Sequence, residues 1–311
     1  MIDLIIIGAG ASGLYLAHVL NQMKSNPQLL ILEKSRGIGG RMATRRTLGT
    51  RFDHGAQFYR LKEDSKDLHE KWSEENLSHL WFKSELGEHW CAKEGMTSLA
   101  KMISKKFHCE LEKQIQKIEK TSTGYKLTSD KNESWECKTL VLTAPLPQAL
   151  ILLDKSHIQY PEEYKNIAYT KALIGLVTLK SKLHLNQFGY IEPNDDTFFS
   201  ISDQESKGVS SIHALTITMS PTFSETYFDE VDENLVIEKI KSAFVKAFPD
   251  VFMEGIELKK WRYCQSLTKA NSMFGKIDDN FYLIGDAFGG SSLLGAMRSA
   301  KALANQLNSK T

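Results

Sequence analysis

A chain of 311 residues exceeds what one small core holds, so two domains, or one large α/β core with an inserted part, are expected. Hydrophobic residues at 41%, charged residues at 25% and a formal net charge of +1 give no global sign of disorder, of a nucleic-acid partner or of an anionic membrane surface. The four cysteines, Cys91, Cys109, Cys137 and Cys264, form no C-x-x-C pair and read as free thiols of a reducing compartment. The apolar run at 4–7 is too short for a secretory h-region and no stretch approaches the roughly 20 residues of a membrane span, so a soluble, cytoplasmic protein is expected.

Residues 4–7, Leu-Ile-Ile-Ile, have the pattern of a central parallel strand buried on both faces. They lead into Gly8-Ala9-Gly10-Ala11-Ser12-Gly13 and then a helical pattern carrying Leu14, Ala17, Val19 and Leu20. In this setting Gly8 permits the turn, Gly10 lets the backbone approach a pyrophosphate, and Gly13 lets the helix close on the strand. The free N–H groups around Ala11 and Ser12, at the positive end of the helix, face the phosphates. A second strand at 29–32 ends in Glu33, 20 residues after Gly13, where an acid accepts hydrogen bonds from an adenosine ribose. The glycine pattern alone is a weak signal; with both strands and the acid it specifies a dinucleotide site.

The next segment decides which dinucleotide. Lys34-Ser35-Arg36-Gly37-Ile38-Gly39-Gly40-Arg41-Met42 is a second glycine-rich loop, which a plain nicotinamide domain does not need. A flavin dinucleotide lying extended across the domain does need one, because its pyrophosphate and ribitol continue past the first loop. Lys34, Gly39, Gly40, Arg41 and Met42 are therefore candidate contacts, with Arg41 suited to charge-assisted bonds to phosphate. The segment resembles the Gly-Gly-Arg flavin motif of the FAD-dependent amine oxidase superfamily. Considered alone, the basic run Lys34, Arg36, Arg41, Arg45, Arg46 and Arg51 reads as a solvated face or a nucleic-acid patch. In a near-neutral chain with a flavin motif, nucleic acid falls away, and the arginines beyond Arg41 are read as steering a phosphate-bearing substrate.

Residues 64–90 mix charges with Trp72, Trp81 and Trp90 and suggest a helix and a hairpin. Strand-like runs at 172–180, 188–192, 197–201 and 209–219 suggest a mixed or antiparallel inserted sheet. Residues 232–248 form one amphipathic helix with Leu235, Ile240, Phe244 and Phe248 on a stripe and Pro249 stopping it. A last buried strand at 281–284 precedes Gly285-Asp286-Ala287, a turn with Gly289 and Gly290, and a helix over 293–307. This resembles the final Gly-Asp motif of flavoproteins with two dinucleotide-binding segments, in which the acid holds a ribitol hydroxyl. Asp286 takes that role by position, and the backbone of Gly295 and Ala296 faces the N1–C2=O edge of the flavin. Without the N-terminal motifs, Asp286 would read as a helix cap.

Other segments narrow the resemblance. Phe52-Asp53-His54-Gly55-Ala56-Gln57-Phe58-Tyr59 looks like the G-A-Q element of renalases, and 34–42 fits their K-S-R-G-x-G-G-R-M form. Gly95-Met96, Ala144-Pro145-Leu146-Pro147-Gln148, Ile212-His213 and Trp261-Arg262-Tyr263 are similar to further renalase elements, with Cys264 standing where a small residue is usual. The likeness spans residues 4–307 and is weakest at 60–90 and 150–205. It implies an α/β (α+β) fold of the p-hydroxybenzoate hydroxylase and amine oxidase kind: a Rossmann-like FAD-binding domain at 1–63, 91–150 and 262–311, and a substrate domain at 64–90 and 151–261.

The resemblance also implies non-covalent FAD, with Gly55, Ala56, Gln57 and Phe58 beside it, and oxidation of 2- and 6-dihydro isomers of NAD(P)H at flavin N5, with dioxygen reoxidising the flavin to give hydrogen peroxide. His213, Trp261 and Arg262 are the substrate candidates. His213 is equally a hydrogen-bonded strand histidine, and Trp261 equally a brace. The histidines show no metal-ligand spacing, and no G-x-S-x-G elbow is present. A small-molecule dinucleotide and O2 are the expected partners, without nucleic acid or membrane; the oligomeric state is open. An amine oxidase or a protoporphyrinogen-oxidase-like desaturase is the competing enzyme, and a flavin-binding sensor without turnover the competing non-enzyme.

Overall fold

The computed structural model describes residues 1–23, 27–193 and 195–309. The chain begins with β1 (Ile2–Ile7), α1 (Ala11–Gln22) and β2 (Leu29–Leu32), followed by the hairpin β3 (Thr44–Thr47) and β4 (Thr50–Asp53). Next come β5 (Tyr59–Arg60), α2 (Lys66–Glu74), β6 (Ser78–Ser84), β7 (Gly87–Ala92), α3 (Thr97–Ser104) and β8 (His108–Glu110). A meander of β9 (Ile115–Lys120), β10 (Tyr125–Ser129) and β11 (Ser134–Leu142) leads to α4 (Leu146–Lys155). The inserted part holds β12 (Tyr169–Leu179), β13 (Tyr190–Ile191), β14 (Phe198–Asp203), β15 (Ala214–Met219), α5 (Pro221–Tyr227), α6 (Glu233–Ala247) and β16 (Met253–Ser266). The chain then returns through β17 (Gly275–Asp278), β18 (Phe281–Leu283), α7 (Asp286–Gly289) and α8 (Leu293–Asn308).

An eight-stranded sheet runs β17-β18-β11-β1-β2-β8, with β10 and β9 added beside β11. Its central strands are parallel, and both faces of β1 are covered, which is why the strand is apolar throughout. The period of two sends Leu4 and Ile6 into a core with Leu14, Leu16, Met297 and Leu303 of α1 and α8. Ile5 points the other way, into a core with Ile118, Leu140, Leu146 and Leu153. Because β1 and β18 lie on either side of β11, the loops that follow them open at the same edge of the sheet.

The three-stranded sheet β5-β7-β6 and α2 bridge two regions. Leu68 and Trp72, one helical turn apart, are buried in the core that α1 and α8 share. Trp81 and Phe82 of β6 reach instead to Tyr190 and Phe188 at the edge of the inserted sheet.

The inserted sheet is antiparallel throughout, in the order β13-β14-β15-β12-β16. The run expected at 209–219 is a strand only from Ala214. Before it, Val209 N–H and Ser210 N–H both turn back to the Gln204 carbonyl, and the Ser210 hydroxyl bonds the Ile212 carbonyl. Side-chain bonding of this kind replaces ladder bonds, and no β-propensity signals it. Strand β16 runs unbroken through residues 261 and 262. In α6, Asp232 caps the helix through Asn234 N–H, and the buried stripe is Val236, Ile240 and Phe244 at i, i+4, i+8. Leu235, expected on that stripe, lies one position off it and is 39% exposed.

Candidate functional site

The two glycine loops meet at the open edge of the eight-stranded sheet. Gly39 N–H bonds the Ala9 carbonyl at 2.8 Å, and Gly10 and Gly39 form an isolated β-bridge. Gly8 has a φ of +112°, and a Cβ there would lie 2.2 Å from Thr143 Oγ1. A Cβ on Gly13 would lie 2.1 Å from the Gly8 carbonyl oxygen, so the helix sits as close to the turn as the sequence pattern implies. In front of Gly10 a Cβ would meet nothing within 4 Å, and α1 carries no side-chain cap. The first N–H groups of α1 therefore face open space, a ready anion site. Buried Glu33 borders it, accepting from Ala9 N–H at 2.8 Å and Ser35 N–H at 2.9 Å. Lys34 is exposed, and Met42 is buried beneath the loop.

The C-terminal motif closes on the same place. Arg41 donates from Nη1 to Asp286 Oδ2 and from Nη2 to Asp286 Oδ1, both at 2.6 Å, and from Nη1 to the Cys264 carbonyl at 3.1 Å. The Tyr169 hydroxyl adds a bond to Asp286 Oδ1 at 3.0 Å. A carboxylate has room for about four hydrogen bonds, so one acceptor direction on Asp286 stays open for a ligand hydroxyl. Burial pushes the Tyr169 phenol well above its usual range, with the charge of Asp286 adding to the shift. Burial likewise pushes the Cys264 thiol up to about 11, against the opposing field of Arg41. Gly285, at φ +148°, would meet nothing with a Cβ, and its N–H is held by Ser299 Oγ at 3.0 Å.

The structure changes the expectation for α8. Ser292 caps this helix by accepting Gly295 N–H at 2.9 Å, and the Ala296 N–H bonds the Ser292 carbonyl at 3.0 Å. The backbone donors assigned from sequence are thus spent within the chain. The N–H groups of Leu293 and Leu294, two residues earlier in the same turn, are the ones without an intrahelical partner.

Below the hairpin lies a buried polar network. Lys207 Nζ is 2.7 Å from Asp53 Oδ2, with both side chains fully buried, and 3.3 Å from Gln57 Oε1. The ammonium also sits over the Trp81 ring, 5.4 Å from its centroid. Asp53 Oδ1 accepts from Met96 N–H at 2.8 Å and from Thr44 Oγ1 at 2.5 Å. Gln57 donates to the carbonyls of Asp53 and Gly55, and Gln204 bonds both Gln57 Oε1 and Asp53 N–H. The glutamine of the G-A-Q element therefore braces the backbone of 53–55. That bracing holds Gly55 so close to Arg41 that a Cβ would lie 1.9 Å from the Arg41 carbonyl oxygen, to which the Ala56 N–H donates at 2.8 Å. Phe58 packs against Trp81, Phe82, His89 and Tyr190.

His54 and Trp261 face each other across this loop. Trp261 Nε1 donates to the His54 carbonyl at 2.9 Å, and the rings stack at 5.5 Å. Burial, reinforced by Lys259, drops the His54 pKa to about 4, and its buried Nδ1 has no partner among the described residues. Arg262, the next residue along β16, points to the opposite side, over the Phe228 ring and 3.3 Å from Asp229. His213 precedes β15 and pairs with Glu205 at 2.7 Å; its carbonyl accepts the Leu179 N–H, at the end of β12 remote from Tyr169. Of the three substrate candidates, the structure brings only Trp261 to the Arg41 side of the sheet. Tyr169 and Lys207 lie in no local motif, and although Cys264 follows the Trp261-Arg262-Tyr263 element, the bond its carbonyl accepts from Arg41 is not encoded by its side chain. Asp53 stood inside a quoted element, and its buried position was the missing information.

The open spaces before Gly10, Gly285 and Gly290, the unbonded start of α1 and the one free direction on Asp286 fit an extended flavin nucleotide. The cradle drawn from both ends of the chain defines a flavin-dependent oxidoreductase. Residues 76–308 match the flavin-containing amine oxidoreductase family, and residues 6–74 match the NAD(P)-binding Rossmann-like domain. The chain belongs to the flavin-containing amine oxidoreductase family. Its fold resembles a putative protoporphyrinogen oxidase from Exiguobacterium sp. 255-15, with a TM-score of 0.77 and 12% identity over 99% of both chains. It also resembles a CLA-producing fatty acid isomerase from P. acnes, with a TM-score of 0.69 and 14% identity over 98% of both chains. No curated protein matches the sequence. Among the described residues, no helix is long and apolar enough to cross a membrane, and no cluster of three or more His, Cys, Asp or Glu could hold a metal.

Proposed function

We propose that this protein is an FAD-dependent oxidase acting on the 2- and 6-dihydronicotinamide isomers of NADH and NADPH, as its sequence likeness to renalases implies. One substrate, one dioxygen and one proton give NAD(P)⁺ and one hydrogen peroxide. FAD, held without a covalent bond, supplies a two-electron acceptor.

What supports the reading is that the groups bonded to the Asp286 carboxylate, the Arg41 guanidinium at 2.6 Å and the Tyr169 hydroxyl at 3.0 Å, include none suited to act as a base near neutrality, and that the nearby buried groups share this property. Burial keeps Tyr169 and Cys264 protonated, the thiol at about 11, and keeps His54 neutral, at about 4. None of them is poised to take a proton near neutrality. Loss of hydride from a dihydropyridine is driven by aromatisation and asks the protein for orientation rather than for a base. Trp261 is fixed by its bond to the His54 carbonyl, stacks on the His54 ring and packs against the cluster of Phe52, Ala172 and Ile174. Arg41 and Asp286 neutralise each other, so the site adds little net charge against the pyridinium product.

Amine oxidation or desaturation, as the name of the Exiguobacterium neighbour suggests for that protein, is the competing reading. An amine cage needs ring faces open to the substrate, whereas Phe58, Phe82 and Tyr190 cover one another at 5.4–6.0 Å between centroids.

Anaerobic mixing of the yellow protein with 2- and 6-dihydroNAD, with amines and with authentic NADH separates the readings. Rapid flavin bleaching by the isomers alone is expected. Bleaching by amines and not by dihydropyridines overturns the proposal, and bleaching by none of them leaves a flavin sensor.

A further inference from the structure

The hairpin β3–β4 places two arginines directly opposite each other. Its register pairs Arg46 with Arg51, an arrangement of like charges that costs stability in an antiparallel ladder. The tip is fixed: Leu48 and Gly49 both have positive φ, +50° and +74°, as a two-residue turn of this hand requires. Leu48 also rests on Gly255 of β16, so the pair cannot relax by slipping register.

Neither arginine has an acidic partner among the described residues, although their neighbours do. Arg45 bonds Glu257, Lys182 and His213 share Glu205, and Lys207 holds Asp53. Every one of these carboxylates is engaged, while the charges of Arg46 and Arg51 remain uncompensated in a chain whose net charge is only +1. They line an open cleft of about 770 Å³ between the hairpin and the loop at 208–211, with Thr50, Gly208, Ser210 and Ser211 and with no acidic residue in its wall. The Thr50 and Ser210 hydroxyls, 2.7 Å apart, form the floor where hairpin and loop join. The Ser210 proton goes to the Ile212 carbonyl and the Thr50 proton to Ser210 Oγ, so this floor is fixed and neutral, and the two guanidinium groups at the mouth supply the donors that suit a tetrahedral oxyanion.

We propose that this cleft is a phosphate-binding site, separate from the cradle at Gly10, and that its ligand is a soluble phosphorylated small molecule. Resting on the reading proposed above, in which the substrate is a dinucleotide, the cleft receives one of its phosphates. In either case the anion relieves the Arg46–Arg51 repulsion, and binding weakens with salt because the cleft is open to solvent.

The test uses the flavin-loaded protein, so that the cradle is already filled. Inorganic pyrophosphate is titrated calorimetrically into wild type, R46A/R51A and R46K/R51K. Saturable binding is expected in wild type, weakened about tenfold or more in the alanine pair and largely kept in the lysine pair. No binding, or equal binding in wild type and the alanine pair, overturns the proposal. So does binding to phosphatidic-acid vesicles without binding of soluble pyrophosphate. A second readout, turnover of 6-dihydroNAD, is expected to show KM raised about tenfold in R46A/R51A with kcat within about twofold. Arginine-dependent pyrophosphate binding in a protein that ignores dihydropyridines retains the site and rejects the proposed reaction. Unchanged KM with no pyrophosphate binding does the reverse.

Discussion

The Arg41 guanidinium and the Asp286 carboxylate, 245 positions apart in the chain, meet through two parallel hydrogen bonds of 2.6 Å. This fork joins the second glycine loop to the start of α7, and it orients the single free acceptor direction of Asp286. Asp286→Ala leaves the guanidinium facing an empty place, and Arg41→Ala leaves a nearly buried carboxylate with only Tyr169 for company. Both proteins are expected to purify with much less flavin than wild type, read as the ratio of flavin to protein absorbance. Arg41→Lys keeps the charge and loses the fork, so an intermediate occupancy is expected. Full occupancy in both alanine variants would place the cofactor elsewhere.

Three glycines separate folding from binding. A methyl on Gly13 collides with the Gly8 carbonyl, a backbone atom that cannot move aside, so Gly13→Ala is expected to lose both stability and flavin. A methyl on Gly10 meets no protein atom and enters the space before α1, so Gly10→Ala is expected to keep the melting temperature of the flavin-free protein while weakening flavin binding about tenfold or more. Gly37, also unobstructed and within the second loop but not among its candidate cofactor contacts, is the control, with both quantities unchanged. Equal flavin affinity in Gly10→Ala and wild type would remove the phosphates from the start of α1.

What the sequence made legible follows from what local chemistry can encode. The loops at 8–13 and 34–42 and the Gly285-Asp286 turn are read from residue types that a tight turn or a close backbone approach requires, so their place in the fold is visible one segment at a time. The inserted sheet was legible as alternating strands, but the loop at 209–213 was not, because Ser210 bonds backbone through its hydroxyl inside a run of apparent strand formers. The donors at Gly295 and Ala296 were misassigned for a similar reason: whether Ser292 caps the helix or faces solvent depends on geometry that spacing does not fix. Lys207 and Tyr169 lie in no motif. They reach Asp53 and Asp286 across 154 and 117 positions, distances over which only the folded topology decides who meets whom.

The buried Lys207–Asp53 pair gives a stability prediction. Two fully buried charges with several hydrogen bonds each contribute little net stability together, but removing one strands the other. Lys207→Met is expected to cost about 3–5 kcal/mol in denaturant unfolding, and Asp53→Asn, which leaves an uncompensated ammonium over Trp81, a comparable amount. The double variant is expected to recover a large part of the sum, giving a strong coupling in the double-mutant cycle. Strict additivity would mean that the ion pair is not formed.

His54 gives the pH dependence. Burial lowers its pKa from the ordinary 6.5 to about 4, with Lys259 adding to the effect. The unfolded chain therefore binds a proton on this ring between about pH 6.5 and pH 4 that the folded protein refuses, so its contribution to stability is complete above pH 6.5 and is lost as pH falls towards 4. Between pH 7 and pH 5 this is worth on the order of 2 kcal/mol. His69, His79 and His89 are lowered in the same direction by burial, so wild type alone does not isolate the effect. His54→Phe does: it keeps a ring against Trp261 and cannot titrate. Melting temperatures of the flavin-loaded proteins at pH 7 and pH 5 are expected to fall by several degrees more in wild type than in His54→Phe. An equal fall in the two proteins would mean that the folded state accepts a proton on His54, and the neutral-site argument for hydride transfer would lose that member.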